Sequence, residues 1–339
     1  MVQGDRVGAL LVNTGSPSAP EPAAVKSYLA EFLMDPCVRP CPAIPWWLIL
    51  HLCILPVRKK RSAAKYRLIW REDGSPLVAT ARALAAQVEG LLEDGPTPHT
   101  ASFPPVVRAA MSYGEPGLTS SLAELRDAGV TSLAVIPLYP QSAKSTTGSV
   151  LTRVRASLEA LGWEPVVHAV ESYGAEEAYL DAVAAGIRAA GLDPTRDRLM
   201  FSFHAVPHPD VEAGDTYPDQ VARTCAALAD RLGVPSARWS VSYQSPFADG
   251  RLWHGPFTTD LLEDVAARTE GNLVFVCPGF SIDCLETLYD VERGFAERAR
   301  AAFPADGAPH EFVYVPCLND TPAAARLMAD LVRRTLPAR

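Results

Sequence analysis

Three acidic side chains in the second half of the chain are spaced as the ligands or bases of a chemical site would be. Asp283, Glu286 and Asp290 stand at i, i+3 and i+7, so one α-helix would carry them on one face. They follow an apolar segment, Leu273–Cys277, that predicts a buried strand ending in a Pro-Gly pair. A carboxylate row at the carboxyl end of a parallel strand suits a divalent cation or the removal of protons. The alternative is an ordinary solvated acidic helix face.

A histidine at the end of another predicted strand could act together with these carboxylates. His204 directly follows the apolar segment Leu199–Phe203, which predicts another parallel strand. If these strand ends open on the same edge, His204 and Glu286 come together, and a neutral imidazole there accepts a proton or binds a borderline cation such as Fe²⁺. A lone histidine is more often structural, and that alternative stays open. Trp253, in a later loop, would stack on a flat ligand.

Strand and helix patterns alternate along the chain, which predicts an α/β protein with parallel sheets. The predicted strands are short apolar runs that end in Gly, Pro or polar residues: Val7–Val12, Ser132–Pro137, Leu199–Phe203 and Leu273–Cys277. The predicted helices are Ala23–Leu33, Pro76–Leu92, Ser120–Ala128, Glu177–Ala190, Pro218–Leu232, Thr258–Arg268 and Pro322–Leu336.

The two halves of the chain resemble each other. Leu118–Gln141 and Phe257–Ser281 share the order of a Thr/Ser start, an amphipathic helix, an apolar strand and a proline, and they lie about 140 residues apart. This repeat predicts two similar Rossmann-like lobes, each a parallel β-sheet flanked by helices, with a cleft between them. We expect residues 1–158 to form the N-terminal lobe and 159–320 the C-terminal lobe, with the helix in 321–339 packing on the first.

Composition and charge narrow the class of protein. A chain with 48% apolar and 21% charged residues is globular rather than disordered, and its net charge of −8 argues against a nucleic-acid partner. The N-terminus has no basic segment followed by a long apolar one, so we expect the protein in the cytoplasm. The seven cysteines are scattered without a C-x-x-C pair, which favours reduced thiols over a zinc or iron–sulfur site.

Another unusual segment is Ile44–Val57, which is apolar and followed at once by the cations of Arg58–Arg61. It is shorter than the roughly 20 residues that a membrane-spanning helix needs. An apolar segment beside cations predicts peripheral contact with the inner membrane face through Trp46–Leu50, or the mouth of a pocket for an apolar ligand. A buried core helix is the alternative.

Short motifs over nearly the whole chain make it similar to a known family. They are LLVNTGSP near the start, SAAKYRLIW and GSPL within 62–77, PLYPQ and STTGS within 137–149, SFHAVP at 202–207, GDTYP at 214–218, YQSPF at 243–247, CPGFSIDCLETL at 277–288 and PCLND at 316–320. With these motifs the chain resembles ferrochelatase, the enzyme that inserts Fe²⁺ into a porphyrin at the end of haem synthesis.

The resemblance implies a porphyrin held between two Rossmann-like lobes, with protoporphyrin IX as the substrate. It implies that His204 and Glu286 are the catalytic and metal-site residues, with Asp283 and Asp290 on a path for protons or metal. Fe²⁺ is then a substrate and no cofactor is required, since the chain lacks the cysteine-rich tail that holds an iron–sulfur cluster in some relatives. The implied porphyrin contacts are Tyr113, Tyr139, Ser145, Arg61 and Trp253.

At two positions the sequence departs from the family pattern, so substrates other than protoporphyrin IX are considered as alternatives. Ser112 stands where the family often has Arg, and Pro246 where a basic residue is common. Propionate recognition is therefore expected from Arg58–Arg61, Arg71 or Lys144. A chelatase for coproporphyrin, or for another tetrapyrrole or metal, is the first alternative, and a tetrapyrrole carrier without activity is the second. The histidine–carboxylate pair argues against the carrier, because binding alone needs no proton acceptor.

Overall fold

The computed structural model describes residues 6–94 and 104–336, and this part of the chain divides into two compact units. The first unit comprises the described residues up to Tyr139, Lys144–Glu171 and the described residues from Asn319. The second comprises Pro140–Ala143 and Ser172–Leu318. Each unit is built on its own four-stranded sheet, in which every pair of neighbouring strands is parallel.

The elements of the first unit alternate between strand and helix over most of its length. Its strands are β1 (Val7–Ser16), β2 (Val106–Gly114), β3 (Ser132–Pro137) and β4 (Val166–Ala169). Its helices up to this point are α1 (Pro22–Met34), α2 (Ala43–Ile49), α3 (Leu55–Ile69), α4 (Pro76–Glu93), α5 (Leu118–Asp127) and α6 (Ser149–Leu161). Leu50–Ile54 and Lys144–Gly148 are π-helical.

The second unit repeats this alternation. Its strands are β5 (Arg198–His204), β6 (Trp239–Gln244), β7 (Leu273–Val276) and β8 (Phe312–Val315). Its α-helices are α7 (Glu177–Ala189), α8 (His208–Glu212), α9 (Tyr217–Leu232), α10 (Thr258–Ala267) and α11 (Ala296–Ala302). A 3₁₀ turn covers Ser236–Arg238, and a π-helix of ten residues, Glu286–Phe295, precedes α11.

The two sheets have the same strand order, β2-β1-β3-β4 and β6-β5-β7-β8. In each sheet the chain moves from the central strand to one side and then to the other. The point where the direction reverses lies between β1 and β3 in the first unit and between β5 and β7 in the second. The carboxyl ends of the strands at such a point are the usual ligand site of an open α/β sheet. The shared order agrees with two similar Rossmann-like units.

The central strands are apolar on both faces because helices cover both sides of each sheet. Leu10 and Leu133 are fully buried in the first sheet, as are Phe201 and Phe275 in the second. Leu10 and Leu133 belong to one buried apolar cluster, and Phe275 belongs to a separate cluster in the second unit.

The first unit extends to Glu171, beyond the boundary expected at residue 158. The physical reason is that β4 pairs with β3 and so completes the first sheet. The last helix, α12 (Pro322–Thr335), belongs to the same unit, where Arg333 Nη2 donates to the Leu91 carbonyl at 2.7 Å. Residues 1–5, 95–103 and 337–339 of the predicted lobes lie outside the described residues.

The apolar segment Ile44–Val57 is helical and presents two different faces. Trp46 and Leu50 are 6% and 0% exposed, and Trp46 Nε1 donates to the Leu33 carbonyl at 2.6 Å. The prediction of surface contact throughout Trp46–Leu50 is therefore wrong at these two residues, which lie one helical turn apart and share the inward face. The large apolar side chains that face outward are Ile44, Trp47, Leu48, Ile49, Leu52 and Val57. Among the residues described, no helix is long and apolar enough to cross a bilayer.

Candidate active site

His204 is the last residue of β5 and lies beside the point where the second sheet reverses its strand order. In the parallel register it stands opposite Gln244, the last residue of β6. On the other side of β5, β7 ends at Val276, and the chain leads from there to the π-helix that begins at Glu286. The sheet therefore brings His204, Gln244 and Glu286 together at one edge.

The orientation of the His204 imidazole follows from one hydrogen bond. Nδ1 lies 2.6 Å from the carbonyl oxygen of Ala205, and a carbonyl only accepts, so Nδ1 carries the proton. In the neutral ring Nε2 is then the unprotonated atom. Nε2 faces Glu286 Oε2 at 3.9 Å, and the His204 side chain is 33% exposed. The imidazole therefore presents a free lone pair beside a carboxylate.

Glu286 is held in place from the opposite direction. Gln244 Nε2 donates to Glu286 Oε1 at 2.7 Å, while the other carboxylate oxygen is the one facing His204. The Glu286 side chain is 18% exposed, so water still reaches it. π-Helical segments are frequent at functional sites, and here the first π-helical residue carries the carboxylate.

The 3.9 Å separation between His204 Nε2 and Glu286 Oε2 suits one divalent cation shared by both atoms. Bonds from first-row cations to imidazole nitrogen and carboxylate oxygen are about 2.0–2.2 Å long, as for zinc. Two such bonds span 3.9 Å with a bent angle at the metal. Two protein ligands also leave coordination positions open for other donors. The arrangement can hold a cation loosely and accept a proton at the same edge.

Two aromatic rings stand beside the imidazole. The centroids of Phe247 and His204 are 5.7 Å apart in an edge-to-face arrangement, and those of Trp253 and His204 are 6.3 Å apart. Phe247 and Trp253 also contact each other, with centroids 5.1 Å apart. These rings form an apolar surface next to the free nitrogen of His204, which suits a flat ligand.

Trp253 is oriented by an ion pair within its own loop. Asp249 Oδ1 accepts from Trp253 Nε1 at 3.2 Å, and Asp249 Oδ2 accepts from Arg251 Nη2 at 2.6 Å. The Asp249 side chain is only 4% exposed, and the Arg251 guanidinium lies over the indole, 5.1 Å from its centre. Arg251 Nε also donates to Asp249 Oδ2, at 2.9 Å, so two charge-assisted hydrogen bonds hold the carboxylate that accepts from the indole beside His204.

The three predicted acidic residues do not form one helical row. Asp283 precedes the π-helix, and its Oδ1 accepts from Thr287 Oγ1 at 2.8 Å and Tyr314 Oη at 2.6 Å. Glu286 and Asp290 both lie within the π-helix, four residues apart. The i, i+3, i+7 argument assumed α-helical geometry, whereas a π-helix closes i→i+5 hydrogen bonds and turns more slowly. Only Glu286 and Asp290 therefore share a helix.

Thiols beside Glu286 stay protonated. Burial, and then the charge of Glu286, raises the pKa of Cys284 to about 12. The same two causes, in the same order, hold the pKa of Cys277 well above its ordinary range. Without a bound cation these thiols are neutral, and the imidazole and the carboxylate are the two groups that face each other at this edge.

Tyr113, a predicted porphyrin contact, lies at the carboxyl end of β2 in the first unit. It is 2% exposed, and its hydroxyl donates to Asp35 Oδ2 at 2.9 Å. Burial, and then the Asp35 charge, raises the pKa of Tyr113 well above its ordinary value. The neighbouring Ser112 hydroxyl is buried without a hydrogen-bond partner among the described residues. A cation reaches Tyr113 instead from α6, because the Arg153 guanidinium lies 4.8 Å from the ring centre.

The other predicted contacts in the first unit are more accessible. Tyr139, just after β3, has its hydroxyl 2.5 Å from Thr14 Oγ1 at the carboxyl end of β1. Ser145 lies in the short π-helical segment before α6 and is half-buried, and Arg61 is exposed on α3. Their role as porphyrin contacts stays a prediction.

Several residues of the site were not found from the sequence. Gln244 belongs to a recognised motif, but its contact with Glu286 depends on the register between β5 and β6. Phe247, Asp249 and Arg251 reach the site through the fold of one loop. Phe247 ends the same motif as Gln244, and the local signal for the other two residues is the acid–base spacing Asp249-x-Arg251 just before a tryptophan.

Comparison with known proteins identifies the family to which the chain belongs. A family model described as Ferrochelatase matches residues 6–336. The chain is 40% identical over 331 residues to Ferrochelatase of Thioalkalivibrio sulfidiphilus, covering 97% of this chain and 87% of that protein. It is 39% identical over 342 residues to Ferrochelatase of Stenotrophomonas maltophilia, covering 99% of this chain and 100% of that protein.

Several solved structures have a similar fold. SirB from Bacillus subtilis with Fe³⁺ superimposes with a TM-score of 0.57 at 13% identity, covering 97% of this chain and 95% of that chain. CbiX, described as the terminal enzyme for biosynthesis of sirohaem in denitrifying bacteria, gives a TM-score of 0.53 at 15% identity, covering 97% and 100%. At such low identity these likenesses establish the α/β fold alone.

Proposed function

The chain belongs to the ferrochelatase family, and on that premise we propose that it inserts Fe²⁺ into a porphyrin in haem synthesis. One observation carries the proposal at the level of chemistry. His204 Nε2, which is the unprotonated nitrogen of the neutral ring, and a carboxylate oxygen of Glu286 lie 3.9 Å apart at the edge where the second sheet reverses its strand order. That pair supplies both a proton acceptor and a cation ligand, which are the two groups that metal insertion requires.

The reaction exchanges two protons for one cation. The ring loses two pyrrole N–H protons as its nitrogens bind Fe²⁺, so charge and atoms balance. We assign the first proton to His204 Nε2 and contact with the incoming cation to Glu286. The second proton then leaves by way of Glu286 and Asp290, which lie four residues apart on the π-helix. Asp283 has a different part, because its hydrogen bonds to Thr287 and Tyr314 hold the start of this segment.

The proposed substrate is protoporphyrin IX, and the product is protohaem. Support comes from the apolar rings of Phe247 and Trp253 beside His204, which favour a flat apolar ligand. Tyr113, Tyr139, Ser145 and Arg61 are proposed as contacts in the first unit. Arg61 belongs to the cationic run that we expect to meet the propionates, since Ser112 and Pro246 carry no charge. No cofactor is required for this chemistry.

We further propose that the protein works in the cytoplasm with peripheral contact at the inner membrane face. The support is the outward apolar face of α2 and the following π-helical turn, where Ile44 is 80% and Leu52 69% exposed, directly before the cations of Arg58–Arg61. Apolar side chains beside cations favour an anionic bilayer surface. An apolar porphyrin would reach the protein from that surface.

Anaerobic incubation with Fe²⁺ and either protoporphyrin or coproporphyrin tests the proposal. The visible bands of the free-base ring should give way to those of the metallated ring, faster with protoporphyrin and much faster than without protein. A faster reaction with coproporphyrin would mean that coproporphyrin is the preferred substrate, while the proposed reaction, insertion of Fe²⁺, would stand. A spectral shift on binding with no metallation would leave only a tetrapyrrole carrier.

A further inference from the structure

Behind Glu286 lies a row of buried hydroxyl groups that the proposed reaction does not use directly. Ser202, Ser242 and Thr258 are each fully buried, and Gln244 is 2% exposed. Ser202 and Ser242 stand opposite each other on β5 and β6, one pleat behind the facing pair His204 and Gln244. Thr258, the first residue of α10, covers them. We call Ser242, Thr258 and Ser202 the hydroxyl chain.

The distances connect the hydroxyl chain to the catalytic carboxylate. Ser242 Oγ lies 2.8 Å from Thr258 Oγ1, which lies 2.7 Å from Ser202 Oγ. Ser202 Oγ lies 2.6 Å from Gln244 Oε1, and Gln244 Nε2 lies 2.7 Å from Glu286 Oε1. Four consecutive hydrogen bonds thus run from the interior of the sheet to Glu286.

The donors in this row can be assigned by counting protons. An ionised carboxylate only accepts, so Gln244 must turn its NH₂ group toward Glu286 and its oxygen toward Ser202. Ser202 donates its one hydroxyl proton to that amide oxygen, so toward Thr258 it can only accept a hydrogen bond. Thr258 in turn accepts from Ser242. The one Ser242 proton has two possible acceptors, and Thr258 Oγ1 at 2.8 Å is nearer than the Phe201 carbonyl at 3.3 Å. The opposite orientation of the Gln244 amide would bring two oxygens to 2.7 Å.

We propose that the hydroxyl chain is a positioning device, which keeps the Gln244 amide turned so that Glu286 is held at its place beside His204. This inference rests on the proposed function, since it concerns the same reaction. Without the Ser202 donor, the buried Gln244 oxygen loses the hydroxyl that anchors it, so the amide is held by Glu286 alone and can move together with that carboxylate. The carboxylate is then displaced from the position where it faces Nε2. Hydrogen bonds to charged groups contribute more than neutral ones, so the loss should be visible in turnover.

Two pairs of variants separate this role from packing. Ser202→Ala and Thr258→Val remove a hydroxyl, whereas Thr258→Ser removes a methyl group and keeps the hydroxyl. Thr269→Val is the matched control, because Thr269 is 2% exposed and its hydroxyl donates to the Val265 carbonyl at 2.9 Å, with no link to Gln244. Steady-state insertion of Fe²⁺ and thermal unfolding are measured for all four proteins and the wild type.

We expect Ser202→Ala and Thr258→Val to lower kcat about tenfold, the scale of one weakened bond to a charged group, with KM for the porphyrin within about twofold. Thr258→Ser should stay near wild type, and Thr269→Val should lose stability without losing kcat. Wild-type kcat in Ser202→Ala, or equal damage from Thr258→Ser and Thr258→Val, would overturn the inference. If Thr258→Val does not fold, Ser202→Ala decides alone. Absence of insertion by the wild type would refute the proposed function instead.

Discussion

Replacing Glu286 by Gln tests the acid–base pair with little change of shape. The Gln oxygen can still accept from Gln244 Nε2, so the 2.7 Å hydrogen bond survives. Its NH₂ group then occupies the position of Oε2, 3.9 Å from His204 Nε2, where it neither accepts a proton nor binds a cation. The effect is therefore confined to the charge and the proton acceptor. Because His204 remains, we expect the lower end of the usual range for such a group, a fall in kcat of about 10²-fold, or ~2.7 kcal/mol.

The assay is a single-turnover insertion of Fe²⁺, followed by the visible spectrum, so that product release does not hide the chemical step. Glu292→Gln is the control, because Glu292 is an exposed acid on the same π-helix. It should insert iron at the wild-type rate. A Glu286→Gln protein that works within about threefold of wild type would show that the carboxylate is not needed, and the proposed mechanism would fail.

Three further predictions follow from burial and charge. Leu50→Ala should lower the free energy of unfolding by about 2–5 kcal/mol, because Leu50 is fully buried. Leu52→Ala should lower it by about 0.5 kcal/mol or less, because Leu52 is 69% exposed. Equal losses for the two variants in urea unfolding would contradict the inward position of Leu50. Arg251→Ala removes the cation from the Trp253 indole and should raise KM for the porphyrin about threefold to tenfold with kcat less affected; a change in kcat alone would refute this. Burial holds the pKa of Tyr179 well above its ordinary value, so the buried side chain stays neutral at a pH where the unfolded one ionises. The stability that Tyr179 contributes is therefore complete below about pH 10 and falls as the pH rises further. Tyr179→Phe should lose stability less steeply between about pH 10 and 11 than wild type does, and parallel curves would contradict the assignment.

The central strands and most helices follow directly from the sequence. β1, β3, β5 and β7 are apolar runs buried on both faces, so composition alone indicated them. β4 was missed because it is an edge strand of four residues in which Val166 and Val167 are exposed. Only its pairing with β3 makes it a strand, and that pairing also moves the boundary of the first unit.

The chemistry of the site was predictable in type and less so in geometry. His204 and Glu286 could be paired because both follow strands that end at one sheet edge. The contact from Gln244 could not, since it depends on the register of two strands distant in sequence. The prediction that the three acids share one helix face was wrong, because the spacing of residues alone does not distinguish an α-helix from a π-helix.

The central claim is that His204 supplies chemistry rather than binding, and one measurement on His204→Ala tests it most directly. Porphyrin affinity and Fe²⁺ insertion are measured on the same sample. Affinity should stay within about tenfold of wild type, because flat apolar contacts such as those of Phe247 and Trp253 dominate it. Insertion should be abolished, because the free imidazole nitrogen facing Glu286 is gone. Insertion near the wild-type rate would mean that His204 is structural and that the proton acceptor lies elsewhere.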